Sequence, residues 1–562
     1  MISSDKMPPP LRRRAFIGRL AAFVLGVTLA ATPAPPAVAL ARGVDAPSDN
    51  LTTFTLAQDA PARPLPEPVF GTNVEWIRAG NGLWNAKEKQ LDAGIIRMSR
   101  DAGITLIRFP GGVWSDFYNW RDGVGPHDKR PETKIAPKLG ETSRHDIGTD
   151  EIAAFAKAIG AKLMITVNAG HGTPEEAAAW AAYVRDTHGA DIAPYWEIGN
   201  ELYMADDLSG GSTTPEAYAA RVRDFAAAIR KELPQAKIAA IGLLNYGPYR
   251  FNAHDNWNEV VLARAGDVID VLAIHNSYAP LVTTRSRGRW DAVYRSMLAA
   301  PQLIAKNMRD TAAQIDRLQP ARAGRIGLAI TEWGPFFAVD PTSPYFDHIK
   351  TLGSGVFVAR TLDVFLRDTR VEAANFFKLS DWLNMGWINH TPGGGFRETP
   401  ALLVFGLYRE VLTDAVLPLR RESGPTFSTP EQGFTGRVDD APAVDGIAGR
   451  QADGRIGIML SNADLTRAQQ VAVRIEGAAA GYRAQVRVIT GPSADAHRGT
   501  AIIEVPGVAF AKAASFGKDG WFIRSDADTV GLRPGDADFR DGVLTLTLPP
   551  ASVAGVTLAP LP

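Results

Sequence analysis

The sequence predicts an α/β fold, a (β/α)8 TIM barrel followed by a C-terminal all-β sandwich, and two features of the chain carry this prediction. From residue 68 onward, short runs rich in β-branched residues alternate with Ala-rich stretches of helical period, as expected of βα units that close a parallel sheet. After about residue 400 the helical period gives way to alternating strands separated by Gly, Asp and Pro, which is typical of a sandwich.

Eight runs are predicted as barrel strands: residues 69–75, 104–110, 162–168, 195–199, 237–243, 268–275, 326–331 and 371–379. The clearest helix candidate between them, at 214–232, begins with Thr214 and Pro215, an order that favours a first helical turn. A strand-like run at 51–56 could join the sandwich from the other end of the chain. The predicted parts are a signal peptide at 1–41, a linker with the joining strand at 42–65, the barrel at 66–412 and the sandwich at 413–562.

The first 41 residues differ from the rest of the chain. Arg12, Arg13 and Arg14 precede a short apolar run at 20–31, and a Pro-rich stretch follows, which is the layout of a signal peptide. The run has about 12 residues, fewer than the roughly 20 that span a bilayer, so no membrane anchor is expected after processing. The Arg pair resembles a twin-arginine export signal. We therefore expect a periplasmic or secreted protein.

Composition excludes several classes of function. The 60 Lys and Arg residues nearly balance the 61 Asp and Glu residues, and the net charge of -1 makes nucleic acid a poor candidate partner. The absence of cysteine excludes disulfides, thiol nucleophiles and zinc–thiolate sites. The nine histidines form no His-Glu-x-x-His or His-x-His motif, so we expect no metal and no other cofactor. The oligomeric state stays open.

Polar and aromatic residues follow almost every predicted barrel strand, where the reacting groups of such barrels lie. Glu201 follows the fourth strand and Glu332 the seventh, and these strands lie nearly opposite each other across the barrel. A glycosidic bond needs such a pair, because one carboxylic acid protonates the leaving oxygen while one carboxylate attacks the anomeric carbon. The expected partner is therefore a carbohydrate. Further candidate substrate-binding residues are Glu75, Arg108, Asn200, His275, Tyr278, Trp114, Trp333 and Trp382.

Several blocks of sequence occur at these strand ends in a fixed order. They are Phe-Gly-Thr-Asn-Val-Glu at 70–75, Arg-Phe-Pro-Gly-Gly at 108–112, Tyr-Asn-Trp-Arg-Asp-Gly-Val-Gly-Pro at 118–126, Trp-Glu-Ile-Gly-Asn-Glu at 196–201 and Ile-Thr-Glu-Trp at 330–333. Together they resemble the clan A retaining glycoside hydrolases, and in particular the α-L-arabinofuranosidases of glycoside hydrolase family 51. The resemblance covers residues 66 to 412 and extends loosely into the sandwich.

The resemblance implies a role for each candidate residue. Glu201 would act as general acid and then as base, and Glu332 as the nucleophile. Arg108 would hold Glu332 ionised, and Asn200 would contact the sugar 2-hydroxyl. The remaining roles are orientation of nucleophile and substrate by His275 and Tyr278, binding of sugar hydroxyls by Glu75, and stacking on sugar faces by Trp76, Trp114, Trp333 and Trp382.

One position departs from the family pattern. The family usually has Asn directly after Pro-Gly-Gly, whereas this chain has Val113 followed by Trp114. The substrate therefore stays open between an α-L-arabinofuranoside and a β-glucan or xylan. Two other functions also stay open, a transglycosylase acting on an exopolysaccharide and a non-catalytic polysaccharide-binding protein. The presence of Glu201, Glu332 and Arg108 argues against the second of these.

Overall fold

A computed structural model describes residues 50–561 apart from residues 136–140, 205–210, 244–253, 276, 279–289, 336–347, 381–384, 392–394, 434, 478–480, 499–500, 505–520 and 525–528. The predicted signal peptide therefore lies outside the described residues. Within the described part of the chain, no helix is both long enough and apolar enough to cross a membrane.

Eight parallel strands form a closed barrel and confirm the predicted fold class. In chain order they are β1 (Gly71–Asn73), β2 (Leu106–Phe109), β3 (Lys162–Val167), β4 (Tyr195–Ile198), β5 (Lys237–Ile241), β6 (Val271–Ala273), β7 (Gly327–Gly334) and β8 (Val371–Phe376). Neighbouring strands pair in this order, and the barrel closes where β8 pairs with β1. Each predicted run overlaps one of these strands, because buried parallel strands need continuous β-branched and apolar sequence.

Helices follow the barrel strands and cover the outside of the sheet. They are α1 (Ala93–Asp101), α2 (Thr149–Ile159), α3 (Pro174–His188), α4 (Pro215–Glu232), α5 (Trp257–Ala265), α6 (Trp290–Ala299), α7 (Pro301–Leu318), α8 (Leu352–Arg367) and α9 (Pro400–Val411), with a short turn at Ile77–Asn81 after β1. The hydroxyl of Thr214 accepts a hydrogen bond from the Ala217 amide at 3.2 Å and caps α4, with Pro215 as its first residue. This N-cap satisfies a backbone donor that the helix cannot satisfy itself.

The sandwich consists of two sheets that bury a separate apolar core. One sheet contains, in spatial order, Leu419–Ser423, Leu51–Ala57, Gln469–Glu476, Val543–Leu548 and Ala537–Arg540. The other contains Arg63–Pro64, Ala415–Leu417, Val444–Arg450, Ile456–Asn462, Ser552–Pro560, Tyr482–Thr490 and Gly531–Gly535. Leu51–Ala57 lies inside the first sheet and runs parallel to Gln469–Glu476, so a strand that precedes the barrel completes the domain that follows it.

Smaller sheets occur at the edges of these two units. Ile388–Thr391 and Gly395–Glu398, which follow β8, join Ala501–Glu504 and Trp521–Arg524 in a four-stranded sheet. Three hairpins are formed by Thr426–Thr429 with Val438–Pro442, Trp84–Asn85 with Gln90–Leu91, and Glu132–Ile135 with Glu141–Arg144.

The barrel contacts the sandwich through α8 and α9, and ionisable side chains lie in this contact. We call Arg360, Asp363, Tyr408 and Asp445 the interface cluster. The Tyr408 hydroxyl donates to the Asp363 carboxylate at 2.6 Å, and Arg360 donates to the carbonyls of Leu298 and Pro442 at 2.8 and 3.0 Å. Burial raises the pKa of Asp363 to about 7, with a smaller contribution from the nearby negative charge of Asp445.

Candidate active site

Glu332 lies on β7 and is held by a buried arginine. The strand is buried along its whole length, and the Glu332 carboxylate Oε1 accepts a hydrogen bond from Nη1 of Arg108, on β2, at 2.9 Å. The Glu332 side chain is 8% exposed and that of Arg108 is fully buried. A paired guanidinium beside a carboxylate favours the ionised form of the acid, which is the form that a nucleophile requires.

Arg108 contacts four side chains from three other barrel strands and their ends. Its Nε donates to Glu197 at 2.6 Å, its Nη2 to the amide oxygen of Asn200 at 2.7 Å, and its Nη1 to the amide oxygen of Asn73 at 3.0 Å as well as to Glu332. Burial opposes the charge on Arg108, but the two carboxylates outweigh this and raise its pKa. The guanidinium is thus a fixed planar cation beneath the barrel mouth.

Glu201 is coupled to His275, which also lies close to Glu332. Nδ1 of His275 lies 2.9 Å from Oε1 of Glu201 and 3.8 Å from Oε2 of Glu332, while its Nε2 lies 3.0 Å from the hydroxyl of Thr331. Burial opposes protonation of His275, but the charges of Glu332 and Glu201 outweigh it and raise the pKa of the imidazole. His275 is therefore placed to share a proton with Glu201.

The backbone at Glu201 takes an unusual conformation. Its φ is +48°, and it follows Gly199 with φ of +79° and Asn200 after the end of β4. A non-glycine residue with positive φ is strained by roughly 1–2 kcal/mol. The turn directs the Glu201 side chain to His275 and leaves it partly exposed at 23%.

The two carboxylates are close enough to act on one bond. Single ligand atoms of Glu201, His275 and Glu332 all lie within 4.8 Å of one another. Retaining glycosidases hold their carboxyl groups about 5–5.5 Å apart, whereas inverting enzymes leave roughly 6.5–9.5 Å for a water molecule. The arrangement suits direct attack by Glu332 and proton transfer by Glu201.

Asn200 offers a polar atom next to both carboxylates. Its side chain is buried at 1% exposure, and its Oδ1 is used by Arg108. Its Nδ2 has no hydrogen-bond partner among the residues that the structure describes. A buried amide that lacks a partner costs about 1–3 kcal/mol, and a sugar hydroxyl at the mouth would satisfy it.

Glu75 follows β1 and forms a buried ion pair with Lys378, which follows β8. The Lys378 ammonium donates to Oε2 of Glu75, and the Asn81 amide donates to the same oxygen at 3.1 Å. Gly112 lies beside the other carboxylate oxygen, where an added Cβ would approach it to 3.4 Å. Glu75 is thus fixed in the wall that contains the Pro-Gly-Gly turn.

Comparison with known proteins shows which proteins the chain resembles. Residues 98–275 match the family model described as the alpha-L-arabinofuranosidase 1 domain. An intracellular exo-alpha-L-arabinofuranosidase from Bacteroides ovatus is 25% identical over 473 residues, which cover 78% of this chain and 86% of the relative. The crystal structure of the GH51 arabinofuranosidase from Xanthomonas axonopodis pv. citri has the same fold, with a TM-score of 0.72 and 24% identity over 91% of this chain and all of that one. The chain is an O-glycosyl hydrolase of the retaining clan A, similar to family 51.

The fold is shared more widely than the sequence. A family 44 xyloglucanase from Paenibacillus polymyxa has a TM-score of 0.59 and 12% identity to this hydrolase, and it covers 91% of this chain and 99% of that one.

The predicted aromatic platforms of the hydrolase occupy different environments. Trp333 is fully buried, and its ring packs edge-on against Phe365 and Phe376, so the structure places it beneath the mouth in the core. Trp114 is half-buried, and its carbonyl accepts a hydrogen bond from the buried ring of Trp76 at 2.7 Å. Of these three residues, only Trp114 is not buried.

Two predicted residues are described only partly or not at all. Tyr278 belongs to a short strand, Ser277–Tyr278, that pairs with Trp333 and Gly334 beyond the body of β7. Its backbone therefore lies at the rim of the barrel. Trp382 lies outside the described residues.

Five residues around the site of the hydrolase were not predicted from sequence: Asn73, Glu197, Tyr203, Thr331 and Lys378. The Tyr203 hydroxyl lies 3.4 Å from Oε1 of Glu201, and burial together with Glu201 and Glu332 holds its pKa well above the usual value. Strand alternation was the available signal for Asn73, because it lies two residues before Glu75 on the same face.

Glu201, His275 and Glu332 also have the ligand types that bind divalent metals. Each of them already has a protein partner: His275 lies between Glu201 and Thr331, and Glu332 accepts from Arg108. An imidazole and two carboxylates with these partners are sufficient for acid–base and nucleophilic chemistry. The expectation that the hydrolase needs no cofactor stays a prediction.

Proposed function

We propose that the hydrolase cleaves α-L-arabinofuranosides by double displacement, with Glu332 as nucleophile and Glu201 as acid and base. The observation that carries this proposal is the approach of the two carboxylates to within 4.8 Å, with Arg108 bonded to Glu332. The substrate class rests on the family model and on the Bacteroides ovatus relative, which is named as an exo-alpha-L-arabinofuranosidase.

In the first step, Glu332 attacks the anomeric carbon and forms a glycosyl ester. The bond between this carbon and the leaving oxygen breaks, and Glu201 transfers its proton to that oxygen. In the second step Glu201 removes a proton from water, the water oxygen bonds to the anomeric carbon, and the ester bond to Glu332 breaks. Two inversions retain the anomeric configuration.

The neighbouring side chains assist both steps. Nδ1 of His275 lies 2.9 Å from Oε1 of Glu201 and keeps the carboxylate oriented while its charge changes. The unsatisfied amide of Asn200 donates to the sugar 2-hydroxyl, a contact that strengthens as positive charge develops on the ring. Both residues therefore contribute more to the transition state than to substrate binding.

The Glu332→Gly variant tests the nucleophile. We expect kcat to fall by about 10³-fold or more, because the covalent step is lost while the pocket stays intact. Added azide should fill the space, restore activity and give a glycosyl azide of inverted configuration, measurable by NMR of the product. Near-normal turnover without azide would contradict the assignment.

A β-linked substrate is the second candidate, and one residue favours it. Val113 is half-buried beside Trp114 and, unlike Asn, has no side-chain amide that could bind a furanoside. The missing hydrogen bond would be worth about 1–3 kcal/mol. If this matters, 4-nitrophenyl α-L-arabinofuranoside will be hydrolysed poorly next to an aryl β-xyloside or β-glucoside. Val113→Asn should then shift the ratio of kcat/KM values toward the furanoside by about tenfold. Efficient hydrolysis of the furanoside by the unmodified protein would remove this candidate.

The same assays separate the other two functions. A transglycosylase would pass the sugar from Glu332 to an added oligosaccharide in preference to water, which chromatography of products reveals. A non-catalytic binding protein would show no turnover of any aryl glycoside.

We also propose that residues 1–41 direct export through the twin-arginine route to the periplasm or the medium. The support is the order of Arg13 and Arg14, an apolar run and a Pro-rich stretch. Fractionation of cells that express the full chain and an Arg13→Lys/Arg14→Lys variant tests this. Export of the wild-type chain alone supports the proposal, and equal cytoplasmic retention of both contradicts it.

A further inference from the structure

Glu197 is a second carboxylate bound to the arginine that holds the nucleophile. It lies on β4, and its side chain is fully buried. Its Oε2 accepts hydrogen bonds from Nε of Arg108 at 2.6 Å and from the hydroxyl of Thr166 at 2.7 Å. Its Oε1 has no hydrogen-bond partner in the described part of the chain.

A buried carboxylate is costly unless its charge is paired. Among the described residues, only one of the two Glu197 carboxylate oxygens is hydrogen-bonded, so a purely structural role does not account for this buried carboxylate. The five N–H donors of Arg108 form a rigid fork. When Glu197 fixes the Nε edge, the Nη1 and Nη2 edges are directed to Glu332 and Asn200.

We propose that Glu197 is a positioning residue. It sets the orientation of Arg108 and partly compensates the positive charge that Arg108 presents to Glu332. This inference rests on the proposed function, in which Glu332 is the nucleophile. With Glu197 ionised, Arg108 is shared between two carboxylates. The Arg108 charge is then partly compensated, so the Glu332 carboxylate is stabilised less and is more reactive toward the anomeric carbon than it would be beside an uncompensated cation.

Other charged and titratable groups face the same centre. His275 and Glu201 lie beside Glu332, and the hydroxyl of Tyr203 lies beside Glu201. The Glu75–Lys378 pair follows the adjacent strands β1 and β8. Glu197 itself bonds to Arg108 and Thr166, and its charge also acts on the buried hydroxyl of Tyr218, whose pKa is raised chiefly by burial. Mutation of Glu197 therefore leaves the hydrogen bonds of Glu201, His275 and Glu75 in place.

The Glu197→Gln variant removes the charge and retains an oxygen that can accept from Arg108. We expect the acidic limb of the kcat/KM profile to move to lower pH by roughly half to one unit, because the full Arg108 charge then favours ionised Glu332. We also expect kcat for a substrate limited by the first step to fall about tenfold, with KM changed less than threefold.

Two further variants separate charge from packing. Glu197→Asp keeps the charge but withdraws it by one methylene, so it should move the acidic limb in the same direction by a smaller amount. It also provides the measurement if Glu197→Gln does not fold. Thr166→Val keeps the Glu197 charge and removes only the hydrogen bond from the Thr166 hydroxyl, and should lower the melting temperature while leaving the acidic limb in place.

A wild-type acidic limb in folded Glu197 variants, together with a lower melting temperature, would overturn the proposal and leave Glu197 a structural residue. Azide rescue of Glu332→Gly distinguishes failure of the Glu197 role from failure of the proposed function. If rescue occurs and the limb does not move, only the role of Glu197 fails. If rescue fails, the nucleophile assignment fails.

Discussion

The barrel mouth and the contact between barrel and sandwich both bury ionisable side chains, but their polar atoms are used differently. At the mouth, Asn200 keeps a buried amide without a partner among the described residues, and Glu201 is held in a strained backbone conformation. In the interface cluster, the Tyr408 hydroxyl and the Asp363 carboxylate bond to each other. The interface cluster also has buried atoms without a partner among the described residues, Oδ2 of Asp363 and Nη1 of Arg360, so incomplete bonding alone does not mark a reaction site. The mouth differs because it holds two carboxylates and an imidazole within 4.8 Å of one another beside a strained backbone.

Substitution of Glu201 gives the largest effect expected at the mouth. Glu201→Ala removes the proton donor for the leaving oxygen, so we expect kcat/KM for alkyl or natural glycosides to fall by about 10³-fold. Dinitrophenyl glycosides, whose leaving group needs no proton, should lose far less in the first step. Equal losses for both leaving groups would contradict the acid role. The unfolding free energy should change little, because the Glu201 side chain is partly exposed.

The mouth was predictable where a functional residue ends a strand. Glu201 comes after β4, and Arg108 and Glu332 lie near the C-terminal ends of β2 and β7, as expected from the rule that barrel strands direct chemistry to their C-terminal ends. Trp333 shows the limit of that rule, since neighbouring residues on a strand point to opposite faces. With Glu332 facing the mouth, Trp333 faces the helices and packs on Phe365 of α8.

Glu197 and the interface cluster could not be predicted, for a related reason. Glu197 lies within β4, two residues after Tyr195 and before the Asn-Glu turn, and its role depends on the approach of Arg108 from β2. Asp363 and Tyr408 are 45 residues apart in sequence, and no local pattern connects them. Sequence periods identify which face a residue occupies but do not identify its partner across the core.

The interface cluster should make stability depend on pH. The Asp363 carboxyl has a folded pKa of about 7, raised chiefly by burial from its ordinary value of 3.8. Between these values the folded state binds a proton that the unfolded state has lost, so stability falls as pH rises from about 4 to 7. Asn at this position does not titrate. Asp363→Asn should therefore gain roughly 2 kcal/mol of stability relative to wild type between pH 5 and pH 8.

Urea unfolding of both proteins at several pH values measures this difference. The exposed residue Asp128 provides a matched control, because Asp128→Asn should show the same difference from wild type at each pH. A constant difference for Asp363→Asn as well would mean that the cluster keeps Asp363 ionised throughout. In that case the buried charge would be compensated by Arg360 and Arg367, which oppose the shift.

The smallest expected effects come from two buried tyrosines, and they compare the regions directly. The hydroxyl of Tyr408 donates to Asp363 at 2.6 Å in the interface cluster, whereas that of Tyr203 lies 3.4 Å from Glu201 at the mouth. Tyr408→Phe leaves a buried carboxyl without its donor and should cost about 1–2 kcal/mol of stability, with kcat unchanged. Tyr203→Phe breaks a long and weak hydrogen bond, so it should cost little stability but lower kcat by about three- to tenfold, because Glu201 loses part of its orientation.

Thermal melting and kcat, measured on both variants, test this. If Tyr203→Phe loses stability at full activity, the Tyr203 hydroxyl has a structural role like that of Tyr408, and the contrast between the two regions fails.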